Sequence, residues 1–255
     1  MILNSYRFAG GGVTLPLMWW DLDDDGTWAN QGTAGSVWDL NEVGTVTTTS
    51  STIGTTSRTV ADFDNALGTK YLEYDNAGTK TVAWGGADDI SVAIWLKAES
   101  VSSALRVMIN WRGGATSPND RLFVLQLQDV AGTDEDIQGA IWDGASVLSN
   151  NVNSDNLFAH STWYHVVMTF DNATNTNNLY LDGNPTPIAT ATTALGALPT
   201  VAAPFAIGAQ ANTKTTNGWD GQMAMAGIWD VALTTDEIAT LYNGGEGAPY
   251  SEIWT

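Results

Sequence analysis

The chain has no cysteine, which excludes a disulfide framework, a thiolate nucleophile and a cysteine-ligated zinc. Positive charge is scarce: 9 Lys and Arg stand against 28 Asp and Glu, for a formal charge of −19. Between Arg121 and Lys214 there is no Lys or Arg at all. Nucleic-acid binding depends on Lys and Arg displacing counter-ions from phosphates, so no nucleic-acid partner is expected. An anionic membrane surface is disfavoured for the same reason. Such an acidic surface suits high salt, where self-repulsion is screened, or a divalent cation. No run approaches the roughly 18 apolar residues of a membrane span, so no membrane insertion is expected. The first residues lack a basic region and an apolar core of about 7–15 residues, so no secretory signal is expected either.

Apolar material itself is plentiful. Hydrophobic residues make up 44% of the 255, and 12 are tryptophan. Short apolar runs separated by Gly, Asn, Asp and Thr clusters predict a two-sheet sandwich, and sandwiches of this length form single domains. The segment GQMAMAGIWDVALTTDEIATLYNGG, residues 221–245, is the most informative. In a strand of period two, Met223, Met225, Gly227 and Trp229 share one face and Gln222, Ala224, Ala226 and Ile228 the other. Both faces are largely apolar, so this strand is expected to be covered on both sides. Thr234 stands three residues before Glu237, the capping-box spacing, and predicts a helix start. Ile238, Leu241 and Tyr242 then share a helical face, and Gly244 or Gly245 is expected to end the helix in the left-handed conformation.

This segment resembles the C-terminal signature of the laminin-G-like, concanavalin-A-like jelly-roll superfamily, G-x-I-D-E-V-R-I-Y-N-R-A-L-S-x-x-E-I-x-x-L-Y. Gly221, Met223, Ile228, Trp229, Ala232, Leu233, Thr234, Glu237, Ile238, Leu241 and Tyr242 fall in register with it. Upstream, ADFDNALGTKYLEY (residues 61–74), SVAIWLKA (residues 91–98) and WYHVVMTFDNATNTNNLYLDG (residues 163–183) are similar to the family's earlier blocks, in order. The resemblance implies an all-β, two-sheet antiparallel jelly-roll sandwich with one short C-terminal helix. It implies an N-terminal arm over residues 1–14, the jelly roll over 15–245 and a tail over 246–255. The family's tandem acidic pair in the last strand is replaced by Ala224 and Met225, and its arginine by Gly227. The opening MILNSYRFAGGG is similar to the M-I-x-N-x-Y-x-F starts of tailed-phage structural proteins that carry laminin-G-like domains.

Three chemistries bear on function. Asp21, Asp23 and Asp25 followed by Gly26 match the first half of a D-x-D-x-D-G calcium loop, with hard oxygen ligands at alternate positions. Position twelve is Gly32, where a bidentate Glu would be needed, so the alternative is an acidic turn after the first strand. Sugar rings stack on aromatic planes and hydrogen-bond to Asn, Asp and Gln. Trp28, Trp38, Trp111, Trp142 and Trp219 adjoin loop-type residues, and Trp142 with Asp143, and Trp219 with Asp220 and Asn217, are the candidate glycan-binding residues. Tryptophan is more often buried, which is the competing reading for each. Glucanases of this fold carry an E-x-D-x-x-E strand, which is absent here, and His165 matches the family's packed strand histidine, so no enzymatic activity is expected.

The expectation is therefore a non-enzymatic virion structural protein of a tailed phage, a capsid decoration or a tail or fibre component. Its partners would be other virion proteins and further copies of itself, for example in a trimer, with a glycan as possible ligand. The alternative is a free calcium-dependent lectin or carbohydrate-binding module.

Overall fold

The structure, a computed structural model, describes residues 12–23, 28–63, 69–74, 82–83, 89–99, 106–112, 121–129, 135–143, 149–154, 158–196, 198, 200–201, 204–211 and 217–254. The chain first forms β1 (Met18–Trp20), β2 (Asn41–Val43), β3 (Thr47–Ile53), β4 (Thr56–Asp62), β5 (Tyr71–Tyr74) and β6 (Val82–Ala83). The middle third gives β7 (Ile90–Ala98), β8 (Arg106–Arg112), β9 (Arg121–Asp129), β10 (Glu135–Trp142) and β11 (Ser149–Asn153). Then follow β12 (Tyr164–Asp171), β13 (Thr176–Leu181), β14 (Ala189–Thr192), β15 (Thr200–Val201), β16 (Phe205–Ile207) and β17 (Gly221–Trp229). Helices α1 (Thr235–Tyr242) and α2 (Tyr250–Ile253) close the chain. No described helix is long and apolar enough to cross a membrane.

An eight-stranded sheet runs β14-β13-β12-β7-β17-β4-β3, with β1 also on β17, and a seven-stranded sheet runs β11-β10-β9-β8-β16-β5-β2. Their pairings are antiparallel, and β6 with β15 forms a separate two-stranded ribbon. This is the expected all-β sandwich with its short helix. The core between the sheets takes Val92, Ile94 and Leu96 from β7, Phe123 and Leu125 from β9, and Phe205 and Ile207 from β16, all fully or almost fully buried. These residues follow the alternation of a pleated strand, apolar side chains inward on every second residue.

In β17 the alternation departs from expectation. Met223, Ala226 and Ile228 enter the core between the sheets, whereas Ala224, Met225 and Trp229 belong to a second cluster outside the eight-stranded sheet. The cause is a bulge between Ala224 and Gly227, where Met225 has φ 48° and its N–H donates to the Asp21 carbonyl at 3.0 Å. All nine residues of the strand are nonetheless buried, as the two apolar faces predict. Gly227 is required here: a Cβ would lie 2.5 Å from the Trp229 ring and 2.6 Å from that of Trp19.

The second cluster is covered by the ends of the described chain. Helix α1 is capped as predicted, Thr234 accepting from the Glu237 N–H while the Glu237 carboxylate accepts from the Thr234 N–H. Its left-handed terminator is Asn243 rather than a glycine, with φ 50°, a conformation that Asn tolerates. Ile238 and Leu241 face the sheet, and Tyr242 stacks on Trp95 at 5.6 Å. The last residues pack on the same face: Trp254 meets Trp19 edge-on at 5.0 Å and donates from Nε1 to the Val13 carbonyl at 2.9 Å. Arg58 of β4 clamps them, donating to the Glu246 and Gly247 carbonyls and pairing with Glu252 at 3.2 Å.

Glu237 ties these pieces together. Its Oε1 accepts from the Thr14 N–H at 3.0 Å and the Thr14 hydroxyl at 2.6 Å, and its Oε2 from the Thr234 N–H and hydroxyl, each at 2.8 Å. Burial raises its pKa, but hydrogen bonds from Thr14 and Thr234 outweigh that and hold it below the ordinary value. A depressed carboxylate contributes stability above its unfolded pKa and loses it as pH falls through the folded one. Glu237→Gln is expected to cost about 1–3 kcal/mol in urea unfolding at pH 7. The difference from the parent protein should shrink as pH falls below about 4.

Candidate functional site

The two sheets differ in what lies on their outer faces. That of the eight-stranded sheet is covered over its centre by α1 and the terminal segments. That of the seven-stranded sheet carries rows of polar side chains over a small apolar floor. One row is Val107, Gln126, Gln138 and Asn153, in register across β8, β9, β10 and β11. Gln126 Nε2 donates to Gln138 Oε1, and Gln138 Nε2 donates to Asn153 Oδ1 at 2.9 Å. Gln126 is 5% exposed, and its Oε1 has no hydrogen-bond partner. The next row is Asn110, Val124, Ala140 and Asn151, where Asn151, like Asn153, is exposed at the sheet edge.

A third row ends the face with Arg112 and Arg121, which are register partners. Strict alternation would point Arg121 into the core, on the same side as Phe123 and Leu125. A register shift at this point leaves Leu122 extra, and both Leu122 and Phe123 enter the core. The bulge thereby brings Arg121 beside Trp142, a residue of the outer-face cluster with Val107, Val124 and Ala140. The Cζ atoms of Arg112 and Arg121 each lie 5.9 Å from the Trp142 ring centroid. Both arginines are half-buried, and the Nε of each has no hydrogen-bond partner. Burial first, and then the charge of Arg121, lowers the pKa of Arg112.

The glycan-binding residues expected from the sequence are not brought together. Trp219 is fully buried in the core between the sheets, as are Trp28, Trp38 and Trp111, so none of these four offers a ring to a ligand. Asn217 and Gly218 hold the start of β8, their carbonyls accepting from the Val107 N–H and from Arg106, whereas Trp142 lies beside its end. Five residues of strand separate the two, roughly 15 Å. Asp220 is half-buried, its carbonyl accepting from Glu99. Asp143 is buried and accepts from the Gly196 N–H at 3.0 Å. Trp142 is 9% exposed, and its ring is a platform for two arginines. Arg112, Arg121, Gln126, Gln138 and Asn153 were missed by sequence reasoning. The signal that could have found two of the amides is the apolar residues that flank them, Leu125 and Leu127 around Gln126 and Ile137 and Gly139 around Gln138.

Asp21 also differs from an uncommitted metal ligand. Its Oδ1 accepts from Trp19 Nε1 at 2.6 Å and from the Tyr250 N–H at 2.8 Å, and its Oδ2 from Gln31 Nε2 at 2.8 Å. These donors occupy lone pairs that a calcium ion would need, so Asp21 does not fit that role as it stands. Asp23 is exposed and lines a small pocket of about 60 Å³ with Trp20, Leu22 and Trp28. Asp25 lies outside the described residues. Among the described residues no three His, Asp or Glu side chains are grouped to hold a metal ion. His165 is 2% exposed and stacked on Trp95 at 5.1 Å, and burial lowers its pKa to about 3. It is a packed, neutral ring, as its strand position implied.

Residues 67–239 match the concanavalin A-like lectin/glucanases superfamily. That span is more than half of the sequence, and the chain belongs to this superfamily. Comparison with curated protein sequences gives no match. Among solved structures, domain 4 of AbnA, a GH43 extracellular arabinanase from Geobacillus stearothermophilus in complex with arabinotriose, is similar with TM-score 0.56. The identity is 16%, over 89% of this chain and 98% of that one. The receptor-binding domain of botulinum neurotoxin type G gives TM-score 0.53 at 12% identity, over 90% of this chain and 51% of that one. Trypanosoma rangeli sialidase gives 0.53 at 13%, over 89% and 32%. At these identities the likeness is one of fold.

Asp21 joins β1 to the end of the chain, and its loss should be felt at both. Asp21→Ala is expected to cost about 1–3 kcal/mol of stability by urea unfolding. In hydrogen exchange, protection should fall first over residues 250–254.

Proposed function

We propose that this chain is a non-enzymatic carbohydrate-binding module that recognises its ligand on the outer face of the seven-stranded sheet. The observation that carries this is the polar row Gln126–Gln138–Asn153, which ends in an exposed amide and includes a buried acceptor without a partner. Planar amides held in register present paired donors and acceptors at fixed spacing, which suits the hydroxyls of a sugar. The centre of the opposite outer face is closed by aromatic packing. Domain 4 of AbnA, which shares this fold, was solved in complex with arabinotriose and supports a saccharide as the ligand class. Arginines and amides at neutral pH hold a ligand rather than transfer its protons, which supports binding without turnover.

As the setting of such a module we favour display on a tailed-phage particle, as a capsid decoration or a tail or fibre component. The net charge of −19 and the cysteine-free composition support it. The N-terminal residues that suggested it lie outside the described residues. The far end, residues 250–254, is held by its own sandwich and needs no neighbour to order it. Mass spectrometry of purified particles tests this reading, and absence of the chain from them overturns it.

For the binding function, the test is a glycan array followed by calorimetry on the best ligand. A Gln138→Ala, Asn153→Ala double variant is expected to lose at least about tenfold in affinity, the worth of one or two hydrogen bonds. Unchanged affinity would move the site off this face.

A further inference from the structure

The arginine pair has a local cost that packing does not explain. Arg112 and Arg121 are directly opposed in a β-ladder, where like charges repel. They are two of only 9 basic residues in a chain with 28 acidic ones. Yet among the described residues the one ion pair, Arg58 with Glu252, involves neither of them. Both guanidiniums share the Trp142 ring, and each keeps a buried Nε without an acceptor. A guanidinium resting on an aromatic face keeps its N–H donors at its edge, in the fork that matches a carboxylate.

We propose that Arg112 and Arg121 form a carboxylate clamp and that the ligand is an acidic oligosaccharide, one bearing a uronate or sialate unit. This rests on the carbohydrate reading given above and names the class of sugar. The carboxylate takes N–H donors from both guanidiniums and removes their mutual repulsion, while hydroxyls of neighbouring units meet Gln138 and Asn153. Along β8 and β9 the row of the arginines lies five residues from the row of the amides, roughly 15 Å. One sugar ring does not span that distance, so several linked units are required. The strongly negative charge of the whole chain disfavours a densely charged polyanion, and a single carboxylate seated between two cations escapes that penalty.

Calorimetry with four oligosaccharides of matched length tests the clamp: neutral, uronate-bearing, its methyl ester, and sulfated. The uronate is expected to bind at least about tenfold more tightly than the neutral sugar and the ester, with the advantage shrinking in about 1 M salt. Arg112→Gln and Arg121→Gln are each expected to abolish that advantage, so that the uronate binds no more tightly than its methyl ester. Neither should lower the melting temperature, because each relieves the like-charge contact. Arg121→Lys keeps the charge without the fork and should retain only part of the advantage. Equal binding of the uronate and its ester would overturn the clamp and leave the carbohydrate reading standing. Tighter binding of the sulfated sugar would overturn the assignment to a carboxylate. Binding of none of the four would overturn both.

Discussion

The architecture depends on one constraint: the central strand of the larger sheet is apolar on both faces, so both must be taken out of water. A two-layer sandwich buries only one of them. The other, with Trp19, Trp95, Met225 and Trp229, needs a third layer, and the chain builds it from α1, the Val13–Thr14 segment and the residues around Trp254. The polar groups that this layer brings with it must then be satisfied. Glu237 and Asp21 do so, one carboxylate joining Thr14 to the helix and the other joining β1 to Tyr250. Buried carboxylates of this kind are costly unless every lone pair finds a donor, which is why hydroxyls and backbone N–H groups converge on them.

That third layer also covers the centre of one outer surface. Gln126, Gln138, the arginine pair and the exposed edge asparagines Asn151 and Asn153 lie on the other. In that row Gln126 stands between Leu125 and Leu127, Gln138 after Ile137 and Asn153 after Val152, and these apolar neighbours point into the core. Membership of the concanavalin A-like superfamily is compatible with many activities, and the particular side chains on this face rather than the fold give the binding reading its content.

Much of the fold was legible in the sequence because it is written in short-range patterns. Thr234 and Glu237 lie within one helical turn, and their reciprocal bonds form as their spacing predicts. The blocks SVAIWLKA and WYHVVMTF, similar to the family's, form β7 and β12, and His165 is buried where its strand puts it. The candidate site was largely illegible, because it depends on departures from periodicity. The extra residues Met225 and Leu122 each move part of a strand to the opposite face, and a bulge leaves no mark in composition. Trp219 looked like a loop tryptophan from its neighbours Gly218 and Asp220, yet the backbone turns its ring into the core. Asp21 looked like the first ligand of a metal loop because its partner Tyr250 is distant in sequence.

The bulge at Leu122 has an evolutionary consequence. Because side-chain direction in a strand is a parity, adding or removing one residue there exchanges which neighbours face solvent without altering any of them. Removing it would turn Arg121 inward and dismantle the pair on Trp142, while the rest of β9 kept its register with β10. Ligand preference in such a sandwich can thus diverge through a single-codon insertion or deletion within a strand, a place where comparisons of loop sequences would not look.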